Sequence, residues 1–260
     1  MTTISNLFDL SGKTALITGG SRGLGRQMAE GFLGAGASVV LTARKVAELE
    51  KAAEELRQIG SGKVHIVDCD LSALDTITTT VDRIAAKVHT IDILVNNAGT
   101  SWVAPMEDHP LEGWNKVMAL NVTAPFLLTQ EIGKRFFIPA RAGKIINIAS
   151  IGGLSGNRAD TEMYTIAYNT SKAAMINFTR ALATEWGRYN INVNALCPGF
   201  FPSKMSAELI DRLSEQTLPS IPLGRFGSNG DLNGAAIFMA SEASRHVTGQ
   251  VLAVDGGATA

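Results

Sequence analysis

Apolar residues along this chain fall into two alternating kinds of run. Seven short runs are almost continuously apolar: KTALITG (13–19), ASVVLTA (37–43), KVHIVDC (63–69), IDILVNN (91–97), GKIINIA (143–149), INVNALC (191–197) and GQVLAVD (249–255). Most are rich in β-branched residues and bounded by Gly, Asn or Asp, which predicts strands. Continuous apolarity, rather than strict alternation, predicts burial on both faces, as in a parallel sheet. Between the runs lie stretches with helical spacing near 24–36, 45–59, 72–89, 111–138, 167–189 and 229–242. Strands alternating with helices predict a doubly wound α/β sheet covered on both faces. No linker, repeat or low-complexity stretch breaks the pattern, so a single domain over residues 1–260 is expected.

Composition narrows the function more than the fold. The 260 residues carry a net charge of −1, with Lys and Arg scattered rather than clustered. That balance argues against a nucleic-acid or anionic-membrane partner. No run of 18 apolar residues exists, so no membrane span is expected. The start, MTTISNLFDLSGK, has neither the cationic nor the apolar region of a signal peptide. Two cysteines in apolar contexts, Cys69 and Cys197, speak for a reducing compartment, and cytoplasm is the expectation. Four scattered histidines without metal-ligand spacing give no metal site.

The first strand runs into TGGSRGLGR (18–26). Gly19 suits a tight turn, Gly23 lets the backbone approach a pyrophosphate, and Gly25 allows close packing of the following helix. Ser21 and Arg22 fill the turn, and the helix opening near Leu24 points free N–H groups at a phosphate. Many glycine-rich turns are only turns; this one stands between the first strand and first helix of a βαβ pattern, which favours a nucleotide. The end of the second strand decides which nucleotide. An acid accepting from an adenosine ribose hydroxyl is missing there, and Arg44 stands in its place, with Arg22 nearby. Two guanidinium groups suit a 2′-phosphate, so NADP(H) is expected over NAD(H), against the alternative of two ordinary surface arginines. Asp70-Leu71 after the third strand serves either the adenine edge or, through Asp70, a helix cap.

YTIAYNTSK (164–172) holds two tyrosines and a lysine. Tyr168 and Lys172 share a helix face; Tyr164 has no cation at that spacing. A nearby ammonium is expected to lower a phenol's pKa from about 10, making Tyr168 an acid/base for a carbonyl or alcohol. The pair alone reads more readily as an amphipathic helix with an exposed lysine. Ser150, at the end of the fifth strand, is placed to hydrogen-bond a substrate oxygen. Asn121 lies inside a long helical pattern, which suggests a local kink binding a relay water, or an Asn satisfied by backbone groups. Trp102, Phe200, Phe201 and Met205 offer an apolar pocket wall, or core contacts, and Tyr164 a further wall.

Together, TGGSRGLG (18–25), NNAG (96–99), Asn121, Ser150, Tyr168 to Lys172, Pro198-Gly199 and Asp255-Gly256-Gly257 resemble the short-chain dehydrogenase/reductase family over essentially the whole chain. The resemblance implies a single-domain Rossmann-type parallel sheet of about seven strands. It also implies a Ser150-Tyr168-Lys172 triad aided by Asn121. Asn96, Asn97, Ala98 and Gly99 would border the adenosine ribose, with Asn96 nearest the cofactor. Tyr168 and Lys172 would also touch the cofactor, Pro198 and Gly199 would flank the nicotinamide, and Ser203 would bond its carboxamide. Many members are homotetramers. The Ser150–Tyr168 spacing of 18 is longer than the family's usual 13 or so, with the extra residues in NRADTEMYT (157–165). Within the family the chain looks most like NADPH-dependent 3-oxoacyl-thioester-type ketoreductases. Sugar-acid dehydrogenases interconverting 5-keto and 5-hydroxy acids are also similar. A non-catalytic NADP(H)-binding module is the alternative outside enzymes.

Overall fold

In the computed structural model, which describes residues 3–157, 163–202 and 217–260, all seven apolar runs become strands of one sheet. These are β1 (Thr14–Thr18), β2 (Ser38–Ala43), β3 (Val64–Asp68), β4 (Ile93–Asn96), β5 (Gly143–Ile148), β6 (Ile191–Pro198) and β7 (Val251–Val254). Their spatial order is β3-β2-β1-β4-β5-β6-β7 and every pairing is parallel. The order turns around between β1 and β4. In open α/β sheets that reversal opens a crevice at the carboxyl ends of the strands, where ligands bind.

The helices are α1 (Ile4–Phe8), α2 (Gly23–Gly34), α3 (Val46–Leu56), α4 (Ile77–Ala85), α5 (111–140), α6 (Ile166–Trp186) and α7 (Asn233–Ala240). On one face, α2, α3 and α7 bury Phe32, Leu33, Leu49, Leu56 and Met239 against β1 and β2. On the other, α4, α5 and α6 bury Val81, Ile84, Leu128, Ile132 and Trp186 against β1, β4 and β5. The double cover explains why the strands read as continuously apolar: Leu16 and Ile17 point to opposite clusters and both are fully buried. α1 was not expected. It is capped by the Thr3 hydroxyl, which accepts from the Asn6 N–H at 3.3 Å, and buries no residue, so it leaves no apolar pattern to read. The stretch expected as a helix from residue 72 starts as a 3₁₀ turn (Leu74–Thr76) and becomes α-helical at Ile77.

α5 is not regular. A π turn spans Ala119–Thr123 and a second spans Gly133–Phe137. Each inserts an extra residue and rotates the downstream part of the helix, a deformation common beside functional sites. At the second π turn, α5 comes so close to α6 that a Cβ on Gly133 would stand 2.2 Å from the Trp186 ring.

A polar ladder crosses the sheet beneath the site. The Asn96 amide donates to Thr129 Oγ1 on α5 (3.0 Å) and Asn147 Oδ1 on β5 (2.8 Å), and Asn147 donates to Thr179 Oγ1 on α6 (2.9 Å). All four residues are buried. Asn96 Oδ1 is left without a partner, but the hydrogen bonds made at such depth fix one register for the strands and helices they join. The contact at Gly133 generates a direct test. Gly133→Ala overpacks against Trp186 and should lower stability by about 1–3 kcal/mol in a denaturant melt; an unchanged midpoint would show that the two helices part freely.

Candidate active site

β1 ends in a loop held from below by β4. Thr18 Oγ1 accepts from the N–H groups of Asn97 and Ala98, both at 2.9 Å, and the Asn97 amide donates to Thr18 O at 2.7 Å. Gly19 has φ +66° and Gly23 φ +56°, conformations that side chains disfavour. A Cβ on Gly25 would stand 2.5 Å from both Asn97 Nδ2 and Gly19 O, so α2 rests directly on the loop. α2 begins at Gly23 with no side-chain cap and no acid in its first turn. Its leading N–H groups therefore stay available to an anion. This cradle fits a pyrophosphate.

Beside it, Arg22 pairs with Glu48 at 3.3 Å and Lys45 pairs with the same carboxylate at 3.0 Å. Arg44 is exposed and close enough to Asp70 to act on its charge. Two acids, Glu48 and Asp70, against Arg22, Arg44 and Lys45 leave a rim with a net positive charge, which fits an additional phosphate better than a ribose hydroxyl. Asp70 accepts from the Ser72 N–H (3.0 Å) and hydroxyl (2.6 Å), while Leu71 is buried. Burial works against the Asp70 carboxylate, but the Ser72 hydrogen bonds and Arg44 outweigh it and hold its pKa below the ordinary value. Asp70 thus closes a local turn with Ser72 and does not cap the helix that follows, whose N-terminal residues Ala73 and Thr76 make no side-chain cap.

The NNAG stretch divides in two. Asn97, Ala98 and Gly99 line the crevice, with Asn97 under the glycine loop. The Asn96 amide is instead held in the buried ladder by Thr129 and Asn147. Period-two alternation accounts for this, since adjacent strand residues point to opposite faces.

Ser150, Tyr168 and Lys172 converge at the ends of β5 and β6. Ser150 follows β5, accepts from the Gly152 N–H at 3.1 Å and hydrogen-bonds the Tyr168 side chain. Lys172, one turn along α6, is buried, donates to Ile148 O at 2.7 Å and stands 5.5 Å from the centre of the Tyr168 ring. Its ammonium does not bring the phenol down as the sequence suggested. Burial of the Tyr168 hydroxyl pushes its pKa up, opposed by the Ser150 hydrogen bond. Burial also pulls Lys172 down to about 8, so the cation itself is weakened. Cys197 on β6 adjoins the pair, with its thiol pushed up to about 11 by burial. The desolvation of three ionisable groups in one crevice is what spacing alone could not reveal.

Asn121 sits in the first π turn of α5. Its Oδ1 accepts from the Thr100 N–H (2.8 Å), and its amide donates to Thr100 O and Ser171 Oγ (both 2.9 Å). The side chain is fully committed and pins the loop after β4 to α6. A Cβ on Gly99 would lie 3.3 Å from Asn121 Oδ1 and 3.6 Å from Lys172 Nζ, which brings all three together. The helix deforms there, as a mid-helix Asn suggested, and the amide is satisfied by backbone groups as well.

Pro198 and Gly199 close β6 against the end of β7, where Gly199 N–H donates to Val254 O at 3.0 Å. Ser203 and Met205 lie outside the described residues. Of the four residues offered as pocket wall or core contacts, Phe201 is a core contact: it is buried and packs on Gly227. Phe200 is half-buried, edge-on to Phe226, and Trp102 covers Gly113 with Lys116 over its ring. Tyr164 is 44% exposed near the crevice, and its carbonyl accepts from the Ala104 N–H at 3.0 Å. Among the described residues no group of three or more His, Cys, Asp or Glu side chains is placed to hold a metal ion, and no helix is long and apolar enough to cross a membrane.

Known proteins are similar to this chain along nearly its whole length. A family model described as enoyl-(acyl carrier protein) reductase matches residues 19–259. Gluconate 5-dehydrogenase of Gluconobacter oxydans is 38% identical, over 98% of this chain and 97% of its own. The 3-oxoacyl-[acyl-carrier-protein] reductase of Aquifex aeolicus is 37% identical, over 95% of this chain and 98% of its own. The crystal structure of a gluconate 5-dehydrogenase from Burkholderia cenocepacia in complex with NADP and tartrate superposes with a TM-score of 0.92 at 34% identity, covering 99% of both chains. The chain belongs to the short-chain dehydrogenase/reductase family of oxidoreductases.

Proposed function

We propose that this chain, as one domain over residues 1–260, interconverts a carbonyl and a secondary alcohol with NADP(H). The observation that carries the reading is the meeting of Ser150, Tyr168 and Lys172 at the strand ends, next to the glycine cradle and its basic rim. In the cradle, Gly19, Ser21, Gly23, Leu24 and Gly25 would hold the pyrophosphate, and Arg44 with Arg22 the 2′-phosphate. Asn97, Ala98, Gly99 and Lys172 would border the cofactor deeper in, and Pro198, Gly199 and Ser203 its nicotinamide end. When bound, the nicotinamide supplies a hydride in reduction and takes one in oxidation.

The chain's own groups handle the proton and the oxygen. Ser150 orients the substrate oxygen through its hydroxyl. Tyr168 donates a proton to that oxygen in reduction and takes it back in oxidation. A phenol whose pKa is raised by burial stays protonated through neutral pH, which suits reduction. Lys172, held by Ile148 O at 5.5 Å from the Tyr168 ring, would hydrogen-bond the cofactor ribose while charged. Asn121 secures the loop of Gly99 and Thr100 against α6.

For the substrate, an apolar ketone of the 3-oxoacyl class is preferred, supported by the aromatic side chains of Trp102, Phe200 and Tyr164 on the segments after β4, after β6 and before α6, none of them buried, and by the likeness to the Aquifex aeolicus reductase. The likeness to gluconate 5-dehydrogenases supports a sugar acid as the second reading. Exposed Phe126 on α5 and Leu252 on β7 are consistent with a homotetramer, and the cytoplasm remains the proposed location.

Tyr168→Phe should lower turnover by at least about 10²-fold, the usual scale of acid/base catalysis. NADPH should still bind, as read by quenching of protein fluorescence; turnover near wild type would remove Tyr168 from its role. Replacing Arg22 and Arg44 together by Ala should cut kcat/KM with NADPH about 10- to 100-fold, the worth of one or two charge-assisted hydrogen bonds, and leave NADH little affected. An equal loss with both cofactors would refute the phosphate-reading role. Reduction needs Tyr168 protonated and Lys172 charged. Both conditions hold below about pH 8, where Lys172 titrates, so kcat/KM should be level there and decline above it. Lys172→Met should lower the rate and erase that limb; a limb near 8 surviving in the variant would assign it to another group.

A further inference from the structure

Asn157, Thr165 and Asn169 form a closed ring of hydrogen bonds beside Tyr168. The Asn157 amide donates to Thr165 Oγ1 at 2.9 Å, the Thr165 hydroxyl donates to Asn169 Oδ1 at 3.1 Å, and the Asn169 amide donates back to Asn157 Oδ1 at 3.0 Å. Each member both gives and accepts, so every bond polarises the next. The Asn157 amide also donates to Met163 O. The ring therefore joins residue 157 to residues 163 and 165 and seats both on the first turn of α6, where the Asn169 N–H donates to Thr165 O at 2.9 Å.

The ring reaches the site on two sides. Asn169 directly follows Tyr168, and its Oδ1 would stand 2.9 Å from a Cβ on Gly152, which would itself lie 3.6 Å from Ser150 Oγ. Gly152 is also the N–H donor to Ser150 Oγ. A Cβ on Gly153 would stand 2.6 Å from the Lys172 carbonyl carbon, so the turn after Ser150 presses on the backbone of α6. On the other side, Tyr164 is flanked by two of the ring's anchor points, Met163 and Thr165, and its carbonyl holds Ala104.

We propose that Asn157, Thr165 and Asn169 are positioning residues: their ring fixes the start of α6, and hence the Tyr168 hydroxyl, against Ser150. The inference rests on the acid/base reading of Tyr168. The titratable groups facing Tyr168 are Lys172 on its own helix and Cys197 on β6, and neither belongs to the ring. The Ser150 hydrogen bond lowers the Tyr168 pKa. Loosening the ring should therefore raise that pKa as well as slow turnover.

Asn157→Ala, Thr165→Val and Thr165→Ser test this in the full-length enzyme with saturating cofactor. Thr165→Val keeps the shape and removes the hydroxyl; Thr165→Ser keeps the hydroxyl. Asn157→Ala and Thr165→Val should lower kcat about 10- to 100-fold, the scale of a misplaced catalytic group. They should also move the rising limb of alcohol oxidation to higher pH, while Thr165→Ser stays near wild type in both. Wild-type kcat and limb in the first two variants would overturn the proposal. So would loss in Thr165→Ser equal to that in Thr165→Val, or a fall in kcat with the limb unmoved, since a merely structural role predicts either. Tyr168→Phe run alongside separates the two readings: if it is inactive while the ring variants are normal, the ring fails and the acid/base assignment stands.

Discussion

The tight approach of α6 to the ends of β5 and β6 is the constraint on which the site depends. It carries Tyr168 and Lys172 into a crevice where water is scarce, and desolvation then sets their chemistry: the phenol is pushed up and the ammonium is pulled down to about 8. Such burial is tolerable only because each polar group has a partner. Ser150 hydrogen-bonds the phenol, Ile148 O accepts from Lys172, and Ser171 accepts from Asn121. Glycines make the approach possible, since side chains at residues 99, 152 or 153 would crowd Asn121, Asn169 or the α6 backbone.

The same helix is braced from several directions. The Asn96–Asn147–Thr179 ladder ties it to the central strands, and Gly133 lets Trp186 close against α5. The π turn at Asn121 rotates that amide onto Thr100 and Ser171 and couples the loop after β4 to α6. The glycine loop and the Tyr168–Lys172 pair are thus parts of one edge, joined through Thr18, Asn97 and Gly99. A hydride and a proton delivered to neighbouring atoms need a fixed geometry, because small misplacements of a catalytic group are costly in rate.

Strands and their parallel arrangement were legible in the sequence because burial on both faces writes continuous apolar runs. The glycine loop, Tyr168 and Lys172 were legible because their spacing has a mechanical reason. Asn96 was read together with Asn97 because a motif names two adjacent asparagines, while a strand sends them to opposite faces. Phe201 stayed undecided because an aromatic ring after a strand suits a pocket wall and a core equally. The direction of the Tyr168 shift was missed for a deeper reason: helical spacing shows a neighbouring charge but not how much water both groups lose. The ring of Asn157, Thr165 and Asn169 left no signal, because its members matter only once the chain has folded them together.

A crystal structure with NADP+ and an unreactive alcohol tests the central claim most directly. The account predicts the alcohol oxygen within hydrogen-bond reach of both the Tyr168 hydroxyl and Ser150 Oγ, with the pyrophosphate on the Gly19–Gly25 loop. An alcohol bound away from Tyr168, with the nicotinamide on another edge of the sheet, would contradict it.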